Sequence, residues 1–474
     1  MAIRAPFNFV PVSDKVYFPD WADQINHDIP FSDGVSGTIK LKITAESPVF
    51  VRNGHVEKDR EEKNDNFKSF SNIDGEYFIP GTSLKGAIRN VLEIMSFGKM
   101  RVNKDAKFAQ REWYNSELYP LKSQQSSFHC GWLKRKDKDF EIIDCGRPYR
   151  IGQTRIDEWI SSDIFKNKFC QNSNLNLNKE VRENGKTFDP KTAEYKYHLI
   201  GETNLTGLRF SADEEFCNEH IDNRLKVSAN GNINGTIVLT GQPGKWMWPR
   251  PKTLTRGAGK FYEFVFEDTI IQKFDLSERE FNHFKFIYSE STEWNRIKRE
   301  LDSERGVPVF FRIENRKVKD FGIAYLYKLP YNKSVFDTLG ENHKLFNKLD
   351  LAECMFGTEN KNITLKGRVQ IGNAKAINSY KDNELIFTLG SPKASYYPIY
   401  VKQQNVNNGI VMNYSTYNNS QIKGWKRYQI REQVYGNKLD YNEALDTKLI
   451  PLKSGSIFES NVYFHNLKPF ELAA

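Results

Sequence analysis

The chain has 474 residues, with 69 Lys and Arg against 60 Asp and Glu for a formal charge of +9, a pI near 9.0 and a mean hydropathy of -0.64. That balance suits a polyanionic partner without requiring one, while 34 Phe, 22 Tyr and 8 Trp exclude a disordered polar chain. No apolar run reaches bilayer-spanning length, and the opening MAIRAPFNFVPVSDKVYFPDW has no unbroken signal-peptide core, so a cytoplasmic protein with no membrane partner is expected.

In chain order, residues 37–51 (GTIKLKITAESPVFV) alternate Ile39, Leu41 and Ile43 with Lys40 and Lys42, the period-2 pattern of a strand with one wet face. Next comes YFIPGTSLKGAIRNVLEIM. Tyr77, Phe78 and Ile79 end a strand, Pro80-Gly81 breaks it, and Thr82 or Ser83 is the expected N-cap of a helix. Leu84, Ile88, Val91, Leu92 and Met95 form one apolar stripe predicted to face a core. Lys85 and Arg89 share another face near the helix start, where unpaired N–H groups and the dipole favour anions such as phosphate. The plain alternative is a capped helix with two solvated cations.

Further on, FHCGWLKRKDKDFEIIDCG predicts a hairpin turning at Lys136 to Lys138, and the Asn-rich stretch from Cys170 to about Lys196 reads as an exposed loop. GKWMWPRPKTLTRGAGKFYEF interleaves Trp246, Trp248, Arg250, Lys252, Arg256 and Lys260, a pattern that stacks bases and holds phosphates, although the two tryptophans serve equally as core anchors. Ser277 and Glu280 open a helix with a capping box, and HKLFNKLDLAECMFG is a helix closing on Gly357. GKFYEFVFE and KGRVQIGNAK read as strands, giving a mixed α+β fold with an antiparallel bias. The glycine-hydroxyl-isoleucine opening at Gly37 recurs at Gly235 and Gly455, a weak repeat that suggests strands returning to one sheet across long insertions. The expected organisation is an arm over 1–35, a unit over 36–232 and a second half over 233–474 that completes or repeats it. Five cysteines without a CxxC pair predict neither a disulfide framework nor a zinc ribbon, and CNEH at Cys217 to His220 lacks a second pair, so no protein metal site is expected.

The Pro80 to Gly86 turn, taken with LAECMFGTENKNITLKGRVQIGNAKA at 351–376, resembles the RAMP superfamily of CRISPR effector subunits, especially type III backbone proteins. In that family a PG[ST]SLKG turn enters the first helix, and a later FG and GR[VL] strand complete the same unit; here these are Phe356-Gly357 and Gly367-Arg368-Val369. LGSPKASYYPIYV and IKGWKRYQI are similar to C-terminal segments of a longer RAMP subfamily. The resemblance implies one or more ferredoxin-like, RRM-like units, each an antiparallel sheet with helices on one face, carrying long insertions. It also implies a CRISPR RNA-binding subunit that holds the guide by its backbone, beside complementary target RNA and other effector subunits. The residues it points to are Gly81, Thr82, Ser83, Lys85 and Arg89 for guide RNA, with Arg368 and Lys375 on a further RNA-facing surface.

Cutting members of that family carry an aspartate on a loop before the glycine turn. The matching loop, RNGHVEKDREEKNDNFKSFSNIDGEY, holds Asp59, Asp65 and Asp74; the resemblance favours Asp65, and Asp74-Gly75 reads as a turn before the strand. The implied chemistry is metal-dependent endoribonuclease action, an in-line attack of a ribose 2′-OH with Asp65 as the catalytic residue and a divalent ion such as Mg2+ as cofactor. Two other readings stand beside it: a non-catalytic capping or scaffold RAMP subunit, and a generic single-stranded RNA-binding protein.

Overall fold

The computed structural model describes residues 7–101, 105–109, 116–117, 119–122, 124, 127–213, 226–229, 231–246, 259–360, 362–388, 400–403, 406–407, 410–411, 418, 420–428 and 446–474. Packing divides the chain into two units, one drawn from 1–105, 335–392 and 397–474, the other from 106–334 and 393–396. The boundaries near 35 and 232 expected from the sequence are therefore not where the packing divides, because strands from both ends of the chain share one sheet.

That sheet belongs to the first unit. Its centre is the strand Ile457–Leu467, paired antiparallel along one edge with Val35–Thr44, from Val35 opposite Leu467 to Thr44 opposite Ile457. Its other edge takes Val369–Ile371 and then Ala374–Asn378, and the latter pairs with Glu76–Ile79. Asn72–Ile73 closes that side through a hairpin whose two turn residues, Asp74 and Gly75, have φ of 52° and 87°, as a two-residue turn between right-twisted strands needs. The early strand and the KGRVQIG strand thus lie in one sheet, and two of the three glycine-isoleucine openings are partners in it. The third, at Gly235, belongs to the other unit.

One face of this sheet is apolar. Leu41, Val462, Phe464 and Val369 pack with Leu92 of the helix Gly81–Met95 and with Leu351, Met355 and Phe356 of the helix Leu351–Phe356. Phe458, Ile79, Ala374 and Phe70 continue the layer. Asp350 and Glu353 form a reciprocal cap on the shorter helix, and Gly357 ends it at φ 81°, so the FG step is a helix terminus.

The second unit holds a closed barrel of Leu208–Asp213, Lys226–Ala229, Tyr149–Gly152, Tyr262–Glu267 and Ile233–Val238, and a five-stranded sheet in the order Gln272–Leu276, Asp139–Asp144, Phe128–Lys136, Val307–Glu314, Lys317–Gly322. The helices Glu278–Tyr288 and Trp294–Leu301 cover that sheet through Phe281, Phe284, Ile287, Ile297 and Leu301. The predicted hairpin and the Ser277–Glu280 capping box are both in place. The Asn-rich stretch is not one exposed loop: it contains the hairpin Val181–Glu183 with Lys186–Phe188 and the start of the helix Ala193–Ile200, and Leu177, Phe188 and Tyr195 anchor it in the barrel core. Trp246 lies in that core too, whereas Trp248, Arg250, Lys252 and Arg256 fall outside the described residues. Cys217 and His220 also fall outside them. Among the described residues the ladders are antiparallel apart from one parallel pairing inside the barrel, and the fold class is mixed α+β. Among the described residues no helix is long and apolar enough to cross a membrane.

Candidate nucleic-acid interface

The two glycine motifs, almost three hundred residues apart in the chain, meet where the Gly81–Met95 helix begins. Gly81 is buried against the turn that follows Val369–Ile371. A Cβ placed on it would lie 2.1 Å from the Ile371 carbonyl oxygen and 2.9 Å from the carbonyl carbon of Gly372, so no side chain fits there. The Gly81 N–H donates to Asn373 Oδ1 at 2.9 Å. Asn373 thus satisfies one of the open donors of the helix start across the sheet, a role no local signal in the sequence assigns to it. The N-cap position is Pro80, and Thr82 and Ser83 are exposed members of the first turn. The expectation that one of those hydroxyls caps the helix is corrected accordingly.

The helix is also rotated from the expected orientation. Of the apolar stripe only Leu92 is buried and Leu84 partly so; Ile88, Val91 and Met95 are 41%, 38% and 66% exposed. The face that packs inward is Gly81, Lys85, Arg89 and Leu92, also at the helical period. Arg89 explains the choice: its Nε donates to Glu93 Oε1 at 2.8 Å and its Nη1 to the Gly357 carbonyl at 3.0 Å. Arg89 is therefore a clamp between the two motifs, not an open phosphate ligand. Burial raises the Glu93 carboxyl above its usual range, opposed by Arg89.

Lys85 is different. It is half-buried, with Nζ 5.8 Å from the centre of the Phe356 ring and 3.4 Å from where a Cβ on Gly367 would sit. No carboxylate pairs with it among the described residues. Burial, and after it the neighbouring Arg89 charge, pushes its amine below the usual lysine value. One buried guanidinium nitrogen of Arg89, Nη2, also has no acceptor. Gly86, one residue on, has nothing within 4 Å of a notional Cβ, so its surroundings are open.

Arg368, expected on an RNA-facing surface, is fully buried. Its Nε donates to the Cys354 carbonyl at 3.1 Å, its Nη1 to the Asn466 carbonyl and its Nη2 to Glu471 Oε1. With its fork filled by two carbonyls and a buried carboxylate, it ties the strand Val369–Ile371 to the carboxyl-terminal helix Pro469–Ala473 and offers nothing to a ligand. Lys375 is exposed on Ala374–Asn378, opposite Glu459 on one side and Phe78 on the other.

The aspartate loop is built, not loose. Asp59 accepts from the Val56 N–H, Asn64 Nδ2 and Asn66 Nδ2, and the two asparagines hold its carboxyl below the usual range. Asn64 caps the short helix Asp65–Lys68, and Arg52 lies 4.0 Å from the centre of the Phe67 ring. Asp65 itself is exposed at the first position of that turn. Among the described residues no three His, Cys, Asp or Glu side chains converge to hold a metal ion.

Two stability predictions follow from this geometry. Gly81→Ala should lower the denaturation midpoint by an amount equivalent to roughly 1–3 kcal/mol of overpacking, whereas Gly86→Ala should raise it by up to about 1 kcal/mol of helix propensity. Arg368→Met should cost about 3–5 kcal/mol by stranding Glu471, and adding Glu471→Leu should restore much of it; urea titration of the three proteins measures both steps.

No curated protein matches the chain at a significant level. The family model of the RAMP superfamily matches residues 42–319, more than half of the sequence. The chain belongs to the RAMP superfamily, whose members are CRISPR-associated RNA-binding proteins.

Proposed function

We propose that the protein is a guide-RNA-binding subunit of a type III-like CRISPR effector complex, working with complementary target RNA and other effector subunits, and that the first turn of the Gly81–Met95 helix seats a backbone phosphate of the guide. The observation that carries this reading is Lys85: a half-buried cation, unpaired by any carboxylate among the described residues and crowded by Arg89. An anion at that helix start would relieve both groups and meet the helix dipole. Thr82 and Ser83 present exposed hydroxyls beside it, and the open space at Gly86 admits a close backbone. Contacts of this kind read phosphate and ribose, not bases, as a guide of variable sequence requires.

The same reading extends to cutting, with Asp65 as the group that orients or deprotonates a ribose 2′-OH for attack on the adjacent phosphate. It is supported by contrast with Asp59, whose oxygens are taken by Val56, Asn64 and Asn66, while Asp65 is exposed. A single carboxylate builds no cage for Mg2+, so a divalent ion would have to take its other ligands from RNA and water.

Lys85→Ala should weaken binding of guide RNAs of unrelated spacer sequence alike and lower the slope of log affinity against log salt by about 0.7 per lost phosphate contact; an unchanged slope and affinity sink the proposed seat. For cutting, Asp65→Ala should abolish metal-dependent cleavage of complementary RNA and leave guide affinity unchanged. A wild type that cuts nothing, or a variant that cuts equally well, leaves the non-cutting scaffold subunit as the reading.

A further inference from the structure

The strand Val35–Thr44 is paired along one edge only, with Ile457–Leu467. Neighbouring hydrogen bonds fix which way each of its residues turns its backbone. The Ala45 N–H donates to the Ser456 carbonyl, while on the far side of the central strand the Gly372 N–H donates to the Asn461 carbonyl and the His465 N–H to the Arg368 carbonyl. Backbone groups alternate between the two edges of an antiparallel strand. Ile39, Leu41 and Ile43 therefore bond to the central strand, and Thr38, Lys40, Lys42 and Thr44 turn both N–H and C=O outward. Among the described residues nothing meets those outward groups.

Proteins blunt an exposed edge with short strands, prolines, bulges or charge. From Gly37 opposite Phe464 to Thr44 opposite Ile457 the register runs without a break and without a proline, and both faces of the strand are exposed from Val35 to Lys40. Ile39, on the side where Leu41 and Ile43 pack inward, is 46% exposed. The one protective device is Lys40 and Lys42, exposed on the opposite side and paired with no carboxylate among the described residues, and lysines repel only other cations.

The chemistry of the edge selects its occupant. Only another backbone offers donors and acceptors in the required alternation; a phosphodiester, which only accepts, would leave the outward carbonyls bare. A second copy of this strand is a poor fit. Outward residues pair with outward residues, so the two antiparallel registers that overlap most of Gly37–Thr44 set Lys40 against Lys40, or Lys40 against Lys42 twice, and like charges directly opposite destabilise a ladder. Carboxylates in those positions do the reverse.

We propose that the outer edge of Val35–Thr44 docks an extended segment of a partner protein in which acidic residues alternate with aliphatic ones. Added as an antiparallel strand, the segment exchanges both backbone hydrogen bonds with Lys40 and with Lys42, sets a carboxylate beside each ammonium, and covers Ile39 with an aliphatic side chain on the other side. The contact needs no RNA and shares no residue with the seat at Lys85.

The test uses the full-length protein and a dye-labelled peptide, Thr-Ile-Glu-Val-Glu-Ile-Thr, with affinity read by fluorescence anisotropy. The same peptide with Lys in place of both Glu should bind roughly fivefold or more weakly. The double variant Lys40→Glu, Lys42→Glu should reverse that preference, a result that no loss of folding produces. Thr38→Pro, which removes an outward N–H and keeps both lysines and the inward ladder, should weaken the acidic peptide roughly two- to tenfold. N-methylation of the peptide at its two Glu residues, which blocks the amides facing the edge and leaves the protein untouched, should abolish binding. The proposal is overturned if the acidic peptide does not bind, if the charge-reversed protein keeps the wild-type preference, or if the methylated peptide binds as well as its parent. A protein that ignores the peptide but binds a short oligouridylate through Lys40 and Lys42 would make the edge a nucleic-acid contact, and one whose dimer is lost in Thr38→Pro would make it a contact between copies; either result also overturns it.

Discussion

The strand Ile457–Leu467 pairs with residues from both ends of the sequence: Val35–Thr44 on one edge, and Val369–Ile371 and Ala374–Asn378 on the other. The glycine site of the first unit is placed by it. The glycine turn after Ile371 exists because its strand is pinned there, Gly81 packs on that turn, and the helix start is aimed by Gly81. The chain leaves this unit near residue 105 and returns near 335, having formed nearly all of the second unit between. Loop-closure entropy grows only with the logarithm of length, about 0.6 kcal/mol per doubling, so such an insertion costs little stability. It costs time instead: Val35–Thr44 waits for its partner strand Ile457–Leu467 to be made, and pairings of this range fold slowly.

Much of this was legible in local signals. The hairpin at Asp137, the turn at Asp74-Gly75, the Ser277–Glu280 cap and the helix ending at Gly357 all depend on residues within a few positions of one another, and all are where their chemistry puts them. The rotation of the Gly81–Met95 helix was not legible. Leu84, Ile88, Val91 and Met95 fit the helical period, and so do Gly81, Lys85, Arg89 and Leu92; counting apolar side chains selects the first set. What decides is a guanidinium reaching the Gly357 carbonyl and a glycine that can touch a backbone, neither of which hydropathy registers. Arg368 failed for a related reason. Its partner Glu471 is 103 residues downstream, and nothing near Gly367 distinguishes an arginine that will be buried from one that will face a ligand.

Burial with satisfied donors is therefore the criterion that sorts the cations of this basic chain. Lys99 is paired with Glu353 at 2.7 Å with both side chains buried, and Lys196 with Glu263 at 2.5 Å; like Arg368, they hold the protein to itself. Removing one partner of such a pair strands the other, so their charge is not available to a polyanion at any salt concentration. Lys85, Lys40, Lys42 and Lys375 have no carboxylate partners among the described residues. On the proposed reading, cations left unpaired in this way are the ones whose neutralisation would release counterions from RNA, whatever the formal charge of the chain.

The glycines of the turn divide in the same way. Gly81 is glycine because the Ile371 carbonyl lies where its side chain would be, a requirement of the protein alone that holds with or without RNA. Gly86 meets no such neighbour, and in the first turns of a helix its lack of a side chain costs helix stability. The motif thus contains one glycine that the fold demands and one that the fold would do better without. The second lies one residue from Lys85, which no carboxylate pairs among the described residues, and on the proposed reading its open side is where a guide backbone comes close.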